Sequence, residues 1–416
     1  MIWFFGTCFL WGVYLPIVYV LRLILFFIPK VQERILFEKK NKTEVGARSF
    51  RLDHLEADLC FEFSSEGEYQ QVASLIDDAL EMGKRLELVF FSPSVEKTIL
   101  DLYSRFPAQI RYLRYPILGL SFSLWISSDQ LVLVRYDLFP EFLIWSLKRG
   151  RSLKFLWVTF KKERIKGLGV SFYKKAFLKQ SHLIVYASET DLKMGRMISK
   201  NSISYDFRME QIRRRLTHKK EKFSRLFTQY LEFKSFLEKF PRDKRLIFGN
   251  VWPEDLFLLK NIPPDFLIVI VPHQLTEGNI KLMIEHLSQI GRMPSIISDG
   301  IFSLPHNNII LFNMKGLLCE LYADFGKAYV GGGFGESVHS ILEPLVAGCD
   351  QLSCGPVNYR STEFDLAKFY GDLKEVNTNQ EFITWLMTNA STVTNHDRLE
   401  SQIASYARYR KEIISC

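Results

Sequence analysis

Short apolar runs alternate with amphipathic helical segments in two long series, and this alternation limits the possible folds more than any other feature. In the first series Asp58–Phe63 reads as a strand, 64–67 as a turn and Tyr69–Met82 as a helix with Val72, Leu75, Ile76 and Leu80 on one face. Leu86–Phe91 is the next strand, and further apolar runs follow at Leu131–Val134, Phe155–Thr159 and Leu183–Ala187. Strand, turn, helix and strand at this spacing make a βαβ unit, whose crossover implies a parallel sheet. The second series gives strands at Arg245–Gly249, Phe266–Val271, Ile309–Phe312 and Lys327–Val330. Its helices are expected from Glu254 onward and over Asn279–Leu287, Leu317–Tyr322 and Ser337–Ala347. The expected class is therefore α/β, with two Rossmann-like domains over 30–205 and 241–416, the latter carrying a terminal helix. The charged stretch 206–240, with Arg213, Arg214 and Arg215 in its first half, reads as a helical linker between them. A chain of 416 residues suits two such cores better than one. Ligands in open α/β sheets lie beyond the carboxyl ends of the strands, so the cleft between two facing sheets is the expected site.

The first 29 residues are different in kind, apolar or aromatic almost throughout, with Arg22 their one charge. About 20 apolar residues cross a bilayer as a helix, and the segment lacks the basic start and small-residue cleavage site of a secretory signal. Lys30, Arg34, Lys39, Lys40 and Lys42 follow, which by the positive-inside rule puts the remainder in the cytoplasm. The expectation is a single-pass membrane anchor, with a helix lying in one leaflet as the alternative. The net charge of +8 points to an anionic partner. Lys148, Arg149, Arg151, Lys154, Lys161, Lys162, Arg164, Lys166, Lys174 and Lys175 spread across the first domain and can hold it to anionic lipid. A solvated surface is the plain alternative, and no nucleic-acid motif accompanies the charge. Six cysteines without a CxxC pair read as inert thiols rather than metal ligands.

Two stretches carry chemistry. In Val330-Gly-Gly-Gly-Phe-Gly-Glu-Ser-Val-His-Ser-Ile-Leu-Glu-Pro344, a strand runs into glycines and then an expected helix start near Ser337. Glycines let a phosphate approach the backbone, and a helix start favours its charge. Glu343 can accept hydrogen bonds from ribose hydroxyls. Glycines 331–335 alone would be an ordinary turn; the His339 to Glu343-Pro344 segment makes the motif specific. The second stretch, Ser64-Ser-Glu-Gly-Glu68, follows the first strand. Glu68 there can take a proton from an attacking hydroxyl, or Glu66 and Glu68 can simply cap the next helix.

Together these motifs resemble the Kdo (3-deoxy-D-manno-octulosonic acid) transferases of lipopolysaccharide synthesis, and the resemblance runs along essentially the whole chain. Ser65-Glu-Gly-Glu68 looks like the family's S-x-G-E, which implies that Glu68 is the catalytic base and places Ser65 and Gly67 on the acceptor side. Arg135-Tyr-Asp-Leu-Phe-Pro140 is similar to its E-x-E-L-W-P, with Asp137 at the second acid. Ser202–Asp206 looks like a worn N-x-K-x-D, and Gly249-Asn-Val-Trp resembles the segment opening the second domain. Val271-Pro-His273 and Lys315-Gly-Leu-Leu318 with Tyr322 resemble nucleotide-site elements. The resemblance implies a GT-B fold and an inverting glycosyltransferase that moves Kdo from CMP-Kdo to a lipid A precursor. It also implies donor contacts from His273, Gly316, Leu317, Leu318, Gly332, Gly333, Gly335, Ser337, His339, Ser340 and Glu343. No cofactor or metal is expected. The chain departs from the pattern at Glu62, Arg135, Ser204 and Ser340, where the family has histidine, an acid, lysine and asparagine. These departures leave open another nucleotide sugar or a catalytically weakened, membrane-associated paralogue.

Overall fold

The computed structural model describes residues 8, 12–13, 15–48, 56–116, 121–135, 138–159, 175, 178–196, 199, 201–227, 229–298, 305–335, 338, 340–356, 362–388 and 396–414. They form two bodies, 1–208 with 406–416 and 209–405. Each is built on a parallel sheet of seven strands.

The first sheet holds β1 (Leu59–Phe63), β2 (Leu86–Phe90), β3 (Ile110–Arg114), β4 (Gln130–Val134), β5 (Ser152–Val158), β6 (Leu183–Tyr186) and β7 (Ser202–Ser204). Its order is β3-β2-β1-β4-β5-β6-β7, so the connections reverse direction between β1 and β4. Strands β1, β2 and β6, which lie inside the sheet, are buried throughout, as strands covered on both faces must be, and so is β3 at its edge. β3 escapes a search for apolar runs because it contains Arg111 and Arg114, both fully buried. Their charges are compensated: Arg111 pairs with the buried Glu87 and lies over the Trp125 ring, and Arg114 pairs with Glu96 and Glu44.

The second sheet holds β8 (Arg245–Val251), β9 (Leu267–Pro272), β10 (Ser295–Ser298), β11 (Ile309–Asn313), β12 (Lys327–Val330), β13 (Gln351–Cys354) and β14 (Leu373–Glu375). Its order is β10-β11-β9-β8-β12-β13-β14, with the reversal between β8 and β12.

Several boundaries differ from the sequence expectation. The helix expected over 69–82 is split into Glu66–Tyr69 and Ala73–Glu81. The helix expected from Ser337 begins only at Leu342 and ends at Val346. The stretch 206–240 is no free linker. Its helices Arg208–Thr217, Lys219–Leu226 and Tyr230–Leu237 bury Phe223, Phe227, Phe233 and Leu237, and Phe227 and Phe233 pack on Phe312 of β11. The terminal helix Tyr406–Ile414 belongs to the first body rather than the second. There Tyr406 donates to Ser74 O (3.0 Å) and Asp78 Oδ2 (2.8 Å), and Arg410 pairs with the same carboxylate at 3.0 Å.

Among the described residues no helix is long and apolar enough to cross a membrane. Within the expected anchor the structure describes Leu15–Leu25, 11 residues long. Of the segment before it only residues 8, 12 and 13 are described, so the span expected over the first 29 residues lies in part outside the described residues. A bend follows, and the helix Pro29–Lys39 starts on a proline and buries Ile35 and Phe37. The basic run is not uniformly a surface either. Lys154 is buried and donates to Gln130 Oε1 and Ile413 O, each at 2.7 Å, while Arg151 stacks on Trp145. Its members 161–174 lie outside the described residues.

Candidate functional site: the carboxyl edges of the two sheets

At the reversal of the first sheet β1 leads into Ser64–Glu68, and β4 is followed by Arg135. Ser65 occupies the N-cap of Glu66–Tyr69 in extended backbone without a side-chain capping bond. Ser65 O accepts from the N–H groups of Glu68 (3.1 Å) and Tyr69 (2.9 Å). Gly67 is exposed, with open space where a Cβ would stand. Glu66 is occupied elsewhere: its carboxylate accepts from Gln70 (2.9 Å) and Thr98 (2.9 Å). Glu68 is buried, and its Oε2 accepts from the Ser64 N–H at 2.7 Å. Its Oε1 lies 3.5 Å from Nη1 of Arg135. Glu68 therefore caps the turn with one oxygen and presents the other to a cation. Arg135 has φ +70° and its guanidinium lies 4.2 Å from the centroid of the Trp157 ring. Asp137 lies outside the described residues.

At the reversal of the second sheet the turns after β8 and β12 meet through Asp255, which is fully buried. Its Oδ2 accepts from the N–H groups of Trp252 (2.9 Å) and Gly332 (3.1 Å), and Oδ1 from the Tyr329 hydroxyl (2.8 Å). Burial pushes this carboxyl above its ordinary range despite those hydrogen bonds. Glycine is required here on two grounds. A Cβ on Gly331 would stand 2.5 Å from Val251 Cα, and one on Gly333 2.5 Å from the Gly355 carbonyl carbon. Gly332 adopts φ +100°, a conformation open to glycine alone at little cost. Gly335 is exposed and Ser340 is half-buried in the loop that continues to Leu342, while Ser337 and His339 lie outside the described residues.

The other donor-side candidates surround the same edge. His273 follows β9; its N–H bonds Val251 O (3.0 Å), and its exposed ring lies 4.8 Å from that of Trp252. Gly316 has φ +83° in open space. Leu317 is buried at the N-cap of Leu318–Tyr322, and Leu318 is half-buried. A Cβ on Gly249 would fall 1.9 Å from the Tyr322 hydroxyl, so that phenol lies directly against the β8 backbone.

Glu343 is the second residue of Leu342–Val346, and its Oε1 meets Arg215 Nη1 at 3.1 Å. Arg215 also grips Glu320, Nε to Oε1 at 3.1 Å and Nη2 to Oε2 at 3.3 Å. Lys222 reaches Glu320 Oε1 at 2.7 Å. Burial pushes the Glu343 carboxyl up against the opposing pull of Arg215. Burial pushes Glu320 in the same direction, but hydrogen bonds from Arg215 and Lys222 bring it below the usual carboxylate range. Glu343 is thus fixed by a residue that reads in sequence as one more charge in a linker. Arg215, Glu320 and Asp255 had no assigned role there, because each acts on partners far away along the chain. The geometry can bring glycine backbone and a fixed carboxylate to one ligand, and a second carboxylate beside a guanidinium to another.

No protein-family model and no curated protein matches this chain. Among solved structures it is similar to a glycosyltransferase from Rickettsia africae ESF-5, with 11% identity over 86% of this chain and 99% of the other and a TM-score of 0.50. It is also similar to a UDP-GlcNAc 2-epimerase from Neisseria meningitidis bound to UDP-GlcNAc, at 13% identity over 86% and 94% of the two chains, TM-score 0.49. The C-terminal CMP-Kdo binding domain of WaaA from Acinetobacter baumannii matches 47% of this chain and 97% of its own at 16% identity, TM-score 0.32. At such identities the likeness is one of fold: two parallel-sheet α/β bodies of the GT-B-like type.

Proposed function

We propose that the protein is an inverting glycosyltransferase that moves Kdo from CMP-Kdo to a lipid A precursor. The observation that carries the proposal is the reversal point of the second sheet, where Gly331–Gly333 form a turn at the carboxyl edge that only glycine fits and that leads on to the exposed Gly335. Glu343 comes from the same motif and is held by Arg215. Edges of this kind take nucleotides. Several structural neighbours hold UDP, UDP-glucose or CMP-Kdo by their own descriptions, which agrees with a nucleotide-sugar donor. In the proposed reaction an acceptor hydroxyl oxygen bonds to the anomeric carbon as the bond from that carbon to the phosphate oxygen breaks. The electron pair leaves with CMP, and the hydroxyl proton goes to Glu68. The glycine backbone and the residues after β12 stabilise the departing phosphate electrostatically, Glu343 holds the ribose, and His273 with 316–318 frames the nucleotide.

The N-terminal segment fits attachment to a membrane surface. Ile17, Tyr19, Val20, Leu23, Ile24 and Phe27 are all exposed on or beside an 11-residue helix. That pattern suits a helix lying in one leaflet as well as part of a spanning one. One observation favours a second reading, a transferase with another acceptor or lowered activity: the Arg135 guanidinium faces the proposed base. The deciding assay measures transfer from CMP-Kdo to a tetraacyl lipid A precursor by detergent-solubilised wild type and Glu68→Ala. Product from wild type alone supports the reading. No product, with CMP still raising the melting temperature more than UDP does, moves the function to another sugar or acceptor.

A further inference from the structure

The reversal point of the first sheet contains more than the proposed base. Arg135, directly after β4, sits in the left-handed region at φ +70°, and so does Trp157, next to last in β5, at φ +60°. Two non-glycine residues in that region on neighbouring strands cost about 1–3 kcal/mol each, a pattern that clusters at ligand sites. Trp157 sits where the β5–β6 register shifts, between Phe155 and Val158, and such irregularities re-aim side chains beside functional sites. The result is a guanidinium stacked on an indole, Arg135 over Trp157 at 4.2 Å, with Arg208 at 5.4 Å from the same ring.

The two arginines differ in how they are held. Arg208 is locked to the fully buried Asp206 through Nε at 3.0 Å and through Nη2. Among the described residues Arg135 has only the 3.5 Å approach to Glu68, and its buried Nε has no hydrogen-bond partner. Its side chain is about a third exposed. A planar fork of donors, oriented by stacking and left short of acceptors, suits a bidentate oxyanion.

Resting on the glycosyltransferase reading, we propose that Arg135 recognises an oxyanion carried by the acceptor sugar, a phosphate monoester or a carboxylate. Its engagement by that group withdraws the guanidinium from Glu68 Oε1. Acceptor binding and release of the base are then one event. An uncharged sugar would leave Glu68 paired and a poor proton acceptor.

The test needs no donor and no turnover. Binding of glucosamine 1-phosphate, glucuronic acid, uncharged glucosamine-derived sugar and inorganic phosphate to the full chain is followed by calorimetry, for wild type, Arg135→Gln, Arg135→Lys and Glu68→Gln. Wild type should prefer a charged sugar about tenfold, the scale of one charge-assisted pair. Arg135→Gln should erase that preference, and Arg135→Lys should keep part of it. Glu68→Gln should bind the charged sugar more tightly, because a competing carboxylate is gone. Unfolding transitions of all four proteins show whether each is folded. An undiminished preference in folded Arg135→Gln overturns the proposal, as does unchanged affinity in Glu68→Gln. Inorganic phosphate binding as well as the charged sugars would assign the site to free anions instead. Failure of CMP-Kdo transfer alone removes the Kdo reading and leaves this site standing.

Discussion

At its reversal point the first sheet sets a carboxylate against a guanidinium, whereas the second sets glycine backbone against a buried carboxylate. In the first, a buried carboxylate meets a guanidinium that is about a third exposed, and the pair is loose, 3.5 Å between Glu68 and Arg135. In the second, Asp255 spends its oxygens on Trp252, Gly332 and Tyr329 inside the body, and the ligand-facing element is backbone. The first arrangement can move a proton or exchange partners. The second holds a shape, since the N–H groups of Gly331 and Gly332 are spent on Gly249 O and Asp255 Oδ2. Similar topology therefore supports two chemistries, set by whether the side chains at the turn are free to change partners.

The comparison breaks most visibly at Asp255. Asp255→Ala should lower the stability of the second body by about 3–5 kcal/mol, since three buried donors lose their acceptor. A shift in the urea midpoint of under a quarter of the wild-type value would show that the carboxylate is not what ties the two turns together. The corresponding change in the first body should be silent in stability and severe in turnover: Glu68→Gln should fold normally and slow transfer about 10²–10⁴-fold, the range of a general base. Wild-type rates from that variant would leave Glu68 as a helix cap and nothing else.

Arg215→Ala sharpens the contrast from the nucleotide side. Glu343 and Glu320 would lose their common cation, and CMP should bind about tenfold more weakly, a differential of about 1.4 kcal/mol. Equal CMP affinity would mean that Glu343 needs no positioning. Acid stability gives a smaller effect. Glu320 is held below its ordinary pKa in the fold, so its contribution is present above the unfolded value of about 4.3 and lost as pH falls through the folded one. Stability should drop below about pH 4, and Glu320→Gln should flatten that slope. The smallest effect is expected from Tyr406→Phe, about 1 kcal/mol from the lost bonds to Ser74 and Asp78, in the first body only.

Much of this was legible in the sequence for a physical reason: strands covered on both faces appear as unbroken apolar runs. β1, β2, β4, β9, β11 and β12 stand close to where those runs lie. β3 was not legible, because Arg111 and Arg114 look like surface residues until Glu87, Glu44 and Glu96 arrive from other segments. The glycine motif was legible, since steric need is local; a Cβ at 331 or 333 meets backbone. The late helix start at Leu342 was not, and neither was Arg215, whose partners lie 105 and 128 positions away. The apolar stretch before residue 30 is legible in composition alone, and a new helix starts at Pro29, where that stretch ends.

The last helix gives the chain an order of assembly. Residues 406–416 complete the body begun at the N-terminus, and everything from 209 to 405 is made in between. Ile413 and Ile414 fill its core, and Ile413 O accepts from the buried Lys154 beside Gln130 Oε1, so that ammonium gains one of its acceptors only once this helix is made. During synthesis the second body can close first, while the first stays incomplete until residues 406–416 have emerged. Loss of those residues would thus be felt in the body that starts at the other end of the sequence, with the 209–405 body left whole.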